Sequence, residues 1–216
     1  MSPTGCQTVG NRGTGVGWGT VAFLDPVTLS GSLVRLEPLA RSHADALRAA
    51  THDGRVWELW YTSAPAPEDV EADITAKRAG AAAGQGLPFA LRRLLDDKVV
   101  GVTTFLHPVP AVPAVEIGST WYAASARRTG LNTEAKFLML RHAFEVWGCR
   151  RVAFRATWFN HPSREAIERL GAVFEGRIRN DRVLRDGTVT DTAQYSLTGE
   201  QWPAVQRHLN HLLGRH

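Results

Sequence analysis

Residues 116–136, EIGSTWYAASARRTGLNTEAK, constrain this chain more than any other segment. A strand-like run ends at Ala123-Ala124-Ser125, paired arginines and a glycine follow, and a helix-forming run opens at Leu131. The first amides of such a helix have no intrahelical acceptor, so they point out of the turn with partial positive charge. Gly130 lets a ligand approach the backbone without meeting a Cβ, and Arg127 and Arg128 bring guanidinium groups matched to phosphate oxygens. The turn reads as an anion site suited to phosphate or pyrophosphate. Neither GxxxxGK[ST] nor GxGxxG is present.

Charge is concentrated around the same turn. Residues 123–185 hold 13 Lys and Arg against 6 Asp and Glu, whereas the 216-residue chain carries a formal net charge of +4. A local excess of this kind favours an anionic partner, although composition alone fits a solvated, arginine-rich surface equally well. These arginines are shared among a loop, a strand and two helices, with no recognition motif for nucleic acid. Cys6 and Cys149 are too few and too far apart for a disulfide framework or a thiolate metal site, so no metal and a reducing, cytoplasmic setting are expected. His208 and His211, three apart without a neighbouring acid, read as a solvated helix face. No run approaches the roughly 18 apolar residues of a membrane span. Residues 1–20 lack the basic start and apolar core of a signal peptide.

Glycine density marks residues 1–26 as a flexible leader, and residues 27–216 are expected to form a single domain. Residues 27–39 alternate as a half-buried strand, Ser42 is placed to cap a helix reaching Ala50, and a second helix is expected over 67–83. Trp57, Trp60 and Tyr61 between them are core anchors or the wall of an acceptor pocket. LPFALRRLL and KVVGVTTFL form a hairpin turning at Asp96-Asp97, and the proline-rich HPVPAVPA loop leads to the strand ending at Tyr122. A helix over 131–147 places Phe137, Leu140, Phe144 and Trp147 on one face. A strand, a short helix closed by Gly171, a strand pair turning at Asp186-Gly187 and a tail helix follow. The order predicts a mixed α/β (α+β) sheet with helices on its faces.

The spacing Arg127-x-x-Gly130-x-Asn132 resembles the R/Q-x-x-G-x-G/A loop of the GNAT superfamily of acetyl-CoA-dependent N-acetyltransferases. With LRHAFEVWGCRRV, NHPSREAIERLGAVFEGRIRN and DGTVTDTAQYSL, it resembles the RimJ/RimL-like branch of ribosomal-protein alanine acetyltransferases over residues 27–202. The resemblance implies the GNAT fold: a central, mostly antiparallel twisted sheet with a splayed strand pair and helices on both faces. It implies that Arg127, Arg128, Thr129, Gly130, Leu131, Asn132 and Thr133 surround the coenzyme A pyrophosphate. The pantetheine arm then lies along the backbone of Trp121 and Tyr122. Asn132 stands where the family usually has Gly or Ala. Asn160 is implied at the pantetheine or acceptor, and Ser163 as the acid that protonates the departing thiolate, although both are also good turn and cap residues.

Amine acylation needs a base only to take a proton from the acceptor, so one carboxylate suffices. Glu116 is the first choice, against a reading as a cross-strand glutamate with no catalytic part. In the late strand pair, where some relatives carry an acidic base, Asp181 is the nearest acid. The expected activity is direct transfer from acetyl-CoA to an amine in a ternary complex, without a cysteine nucleophile. The acceptor is a protein N-terminus or a small-molecule amine, and the protein a monomer or homodimer. The alternative is a catalytically silent coenzyme A sensor.

Overall fold

Gly31 breaks the first expected strand in two. In the computed structural model, which describes residues 24–214, β1 (Leu29–Ser30) turns at Gly31 and returns antiparallel as β2 (Val34–Pro38), with Leu29 opposite Leu36. The expected leader lies outside the described residues apart from 24–26, as does Cys6. The reason for the turn is Glu134, a hundred residues away. Its buried carboxylate accepts hydrogen bonds from the Ser32 amide (2.9 Å) and hydroxyl (2.8 Å), the Leu33 amide (2.6 Å) and the Val34 amide (2.8 Å). A Cβ on residue 31 would land on that carboxylate.

A 3-10 turn at Arg41–His43 leads into α1 (Ala44–His52). His43 Nδ1, rather than Ser42, accepts the Ala40 amide at 3.1 Å, so the expected serine cap is replaced by a buried imidazole. α2 (Val70–Ala82) follows, then β3 (Gly86–Arg93), β4 (Lys98–Val109) and β5 (Ala114–Tyr122) as an antiparallel meander. α3 (Leu131–Arg141), β6 (Arg151–Thr157), α4 (His161–Glu168), β7 (Val173–Val183), β8 (Val189–Thr198) and α5 (Trp202–Leu212) complete the order. The eight strands form one sheet in the order β1-β2-β3-β4-β5-β6-β8-β7. β4 is buried at every position from Val99 to Phe105, as a strand covered on both faces must be.

The parallel pair β5–β6 holds over three rungs only, Ala114 with Arg151, Val115 with Val152 and Glu116 with Ala153. Beyond Glu116 the two strands part, and the inner edge of β5 is left without a strand partner. β5 also carries a bulge: its register against β4 shifts between Val102 and Thr104, and Ser119 adopts φ 47°. A non-glycine residue at positive φ costs about 1 kcal/mol and persists where its surroundings enforce it.

α3 is not the one-sided helix its spacing predicts. Leu131 and every residue from Thr133 to Leu140 are buried. A π-helical turn at His142–Val146 prolongs it and divides the predicted stripe. Phe137 and Phe144 meet Trp202 of α5 at ring separations of 6.1 and 5.4 Å, whereas Trp147 meets Phe105 of β4 at 4.6 Å. The helix is thus enclosed by sheet and tail helix together.

Burial works to raise the Glu134 carboxyl, but the Ser32, Leu33 and Val34 donors outweigh it and hold the group below its ordinary value. A carboxyl depressed in the folded state contributes stability above its unfolded pKa, and that contribution is lost as pH falls through the folded value. Glu134→Gln should destabilise the protein by about 2–4 kcal/mol at neutral pH, because an amide NH2 then faces backbone donors. Urea unfolding at pH 7 and pH 4 checks this, with the difference from wild type shrinking at the lower pH.

Candidate active site

The turn before α3 is built to gather amides. Arg128 (φ 59°) and Gly130 (φ 82°) are left-handed, and Gly130 caps the helix. The Thr129 hydroxyl closes the turn on the Ala126 carbonyl at 2.7 Å. The first intrahelical bond is that of the Glu134 amide to Gly130 O, 2.9 Å, so the amides of Leu131, Asn132 and Thr133 have no acceptor within the helix. Successive amides in such a turn form an anion-binding concavity. Arg127 and Arg128 are exposed at its mouth. Leu131 and Thr133 are buried, so only their backbone faces the concavity. Asn132, half-buried, has its Oδ1 shielded from solvent without a hydrogen-bond partner among the described residues.

Trp121 and Tyr122 pair with Val102 and Gly101 of β4 on one side, and past Glu116 β5 has no strand on the other. Trp121 is buried, and burial pushes the Tyr122 phenol well above its usual range, with its hydroxyl shielded and without a hydrogen-bond partner among the described residues. Glu116 stands at the last rung before the strands part. It is 9 % exposed, and one carboxylate oxygen lies 3.2 Å from His107 Nδ1. Both line an open cleft of ≈ 210 Å³ with Val109, Ala114, Arg155 and Gln194. Glu116 therefore faces a cleft shared by both half-sheets.

Four residues beyond the Glu116–Ala153 rung, roughly 13 Å along the strands, β6 ends at Thr157 and α4 opens. Asn160 is its N-cap, and its Oδ1 accepts the Ser163 amide at 3.1 Å. That bond occupies the Asn160 carbonyl in capping and leaves its NH2 group; Ser163 is half-buried. Asn160 and Ser163 thus flank the parted strands, while Glu116 marks the point where they join.

The aromatics of residues 56–65 divide between the two readings. Trp57 is half-buried and packs on the core, whereas Trp60 is 55 % exposed and its ring lies 5.8 Å from that of Phe159, just before Asn160. The β7–β8 turn reaches the same segment. Arg185 donates to the carbonyls of Ala64 and, at 3.4 Å, Trp57. Asp181, the acid of the late strand pair, is ion-paired with Arg155. The Cys149 thiol is buried and pushed up to about 12, so it stays protonated at neutral pH. His208 Nε2 lies 2.9 Å from the Arg169 carbonyl.

Sequence reasoning missed His107 and Arg155. The prolines at 108 and 110 make His107 read as the start of a loop, yet β4 runs on to Val109 through a positive φ of 49° at His107. Arg155 alternates with Ala153 and Arg151 on β6, a period-two signal that would have placed it beside Glu116 once the parallel register was known.

A parallel pair that parts at a buried carboxylate, followed by an amide-lined turn, defines a split sheet with an anion site at its open end. Residues 34–173 match the family described as Acetyltransferase (GNAT) domain, and the chain belongs to the GNAT acetyltransferases. A GCN5-related N-acetyltransferase from Brucella melitensis is 31 % identical with a TM-score of 0.77, covering 88 % of this chain and 86 % of that one. RimJ of Mycobacterium smegmatis, solved in complex with CoA-disulfide, is 26 % identical with a TM-score of 0.74, covering 89 % and 97 %. YdaF of Bacillus subtilis (strain 168), named for a ribosomal N-acetyltransferase activity, is 34 % identical over 110 residues, 50 % of this chain and 58 % of that protein. No helix among the described residues is long and apolar enough to cross a membrane.

Replacing Arg185 by alanine should free the β7–β8 turn from residues 57–64. Amide hydrogen exchange at both segments is expected to rise while the melting temperature falls by only a few degrees, about what losing one or two half-exposed hydrogen bonds costs.

Proposed function

We propose that this chain is an N-acetyltransferase that moves the acetyl group of acetyl-CoA to a primary amine in a ternary complex. The observation that carries the reading is the arrangement along one line of the anion turn, the bare β5 edge and the buried Glu116 at the end of that edge. The residues fit the cosubstrate. The amides of Leu131, Asn132 and Thr133, left without intrahelical acceptors, suit a pyrophosphate together with Arg127 and Arg128. The β5 edge beside Trp121 and Tyr122 offers backbone groups to the amides of a pantetheine arm.

Acetyl-CoA, when bound, supplies the activated acetyl thioester. Glu116 holds a proton acceptor at the point where the strands join, and His107 at 3.2 Å supports its orientation. A base of this kind is worth about 10²–10⁴ in rate. Asn160 orients the opposite wall through its free NH2, and the Ser163 hydroxyl is the candidate donor to the departing thiolate. The protonated Cys149 offers no competing nucleophile. The name of YdaF, which refers to ribosomal N-acetylation, favours a protein acceptor over a free small-molecule amine, and a protein N-terminus is the acceptor proposed.

Calorimetry with acetyl-CoA, followed by thiol release over a panel of N-terminal peptides and small amines, tests the proposal. Binding with no thiol release from any acceptor would make the protein a coenzyme A sensor instead. With a working acceptor, Glu116→Gln should lower kcat about 100-fold while leaving acetyl-CoA affinity near wild type. An unchanged kcat would remove Glu116 from the mechanism.

A further inference from the structure

Lys136 is a charged residue type in the interior of α3, 6 % exposed, and among the described residues its hydrogen-bond partners are two hydroxyls rather than a carboxylate. Its Nζ donates to Thr103 Oγ1 of β4 and Thr120 Oγ1 of β5, both at 2.8 Å, and the two hydroxyl oxygens lie 2.7 Å apart. The hydroxyls have further partners of their own. Thr120 donates to the Gly118 carbonyl at 3.2 Å, and Thr103 reaches Met139 Sδ at 3.7 Å. The other ionisable side chains of α3 are engaged elsewhere: Glu134 with the β1–β2 turn, and Arg141 over the Phe137 ring at 5.6 Å. Two acceptors match the two N–H groups of a neutral amine, whereas an ammonium would leave its third N–H unsatisfied in a buried place. Burial accordingly pulls the amine down to about 7.

The place of this triangle is what makes it informative. Thr103 is the residue at which the β4–β5 register shifts, and Thr120 follows Ser119, the residue at φ 47°. Gly118, Ser119 and Thr120 are the half-exposed stretch of β5 beyond the last β6 rung. We propose that Lys136 is a positioning residue: from inside α3 it locks the β5 bulge through Thr103 and Thr120, and so sets the direction of the Gly118–Thr120 backbone that receives the thioester end of acetyl-CoA. The inference rests on the acetyl-CoA reading of the same edge.

Lys136→Met keeps the volume and removes the amine. The expected result is a rise of about tenfold in both the acetyl-CoA dissociation constant and its KM, the scale set by small misplacements of a bound group. Heat stability should not fall. The wild-type amine is depressed in the folded state, so its burial penalty is absent above the unfolded lysine pKa and complete below the folded one. The melting temperature of Lys136→Met should therefore exceed wild type by a margin that grows as pH is lowered from about 9 to about 7.

Thr120→Val breaks the same lock from the strand, serves if Lys136→Met fails to fold, and should raise KM equally. The double variant should lose no more than either single change. Unchanged acetyl-CoA affinity in these variants would overturn the inference and leave the acetyltransferase reading standing. So would losses that add, or that follow melting temperature. Wild-type protein that binds no acetyl-CoA would overturn both.

Discussion

The carboxylate of Glu134 gathers four donors from one turn, Ser32 through its amide and hydroxyl, Leu33 and Val34. Much of the architecture depends on that grip. It attaches the first hairpin to the opening turn of α3, and β2 then lays its register onto β3, with Leu36 opposite Leu91. The same glutamate donates its own amide to Gly130 O, so the residue that holds the hairpin also closes the first helical turn after the anion loop. Hydrogen bonds to a charged acceptor are each worth about 1.5–3 kcal/mol when geometry is good. A carboxylate with several of them tolerates complete burial.

Two residues further along the same helix, the opposite solution appears. Lys136 meets hydroxyl oxygens rather than a counter-ion, and a hydroxyl cannot offset a full charge removed from water. Its amine is therefore held near neutrality, at a cost on the order of several kcal/mol relative to an exposed lysine. Glu134 stabilises the helix where it stands and Lys136 opposes it. A polar residue that costs stability and is nevertheless fully bonded points toward a task at the site, which is why the Thr103–Thr120 pair beside the β5 bulge matters.

Much of this is legible in the sequence. The strand, turn and helix of residues 116–136, the hairpin at Asp96-Asp97 and the closing turn at Asp186-Gly187 are local chemistry: positive φ at Asp97, Gly130 and Gly187 falls where the turn residues stand. The fold class and the family likewise followed from motifs. What escaped is non-local. No periodicity shows that Gly31 must lack a side chain because Glu134 lies above it, or that a π-helical turn divides Phe137 and Phe144 from Trp147. The prolines of HPVPAVPA concealed that His107 belongs to a strand. Asn132, the departure from the family loop, stands second in α3, and its Oδ1 has no hydrogen-bond partner among the described residues.

An unpaired strand edge usually endangers a protein, because another chain can extend the sheet there. The bare stretch of β5 lies within the sheet rather than at its rim: β4 pairs with it on one side, and β6, joined to it at Glu116, diverges on the other. A whole foreign strand finds no open flank, while a slender arm with a few amides can enter from the wide end. In the proposed cosubstrate complex, the divergence of two strands after three rungs acts as a filter by shape, with room for a thin, amide-bearing arm but not for an added sheet.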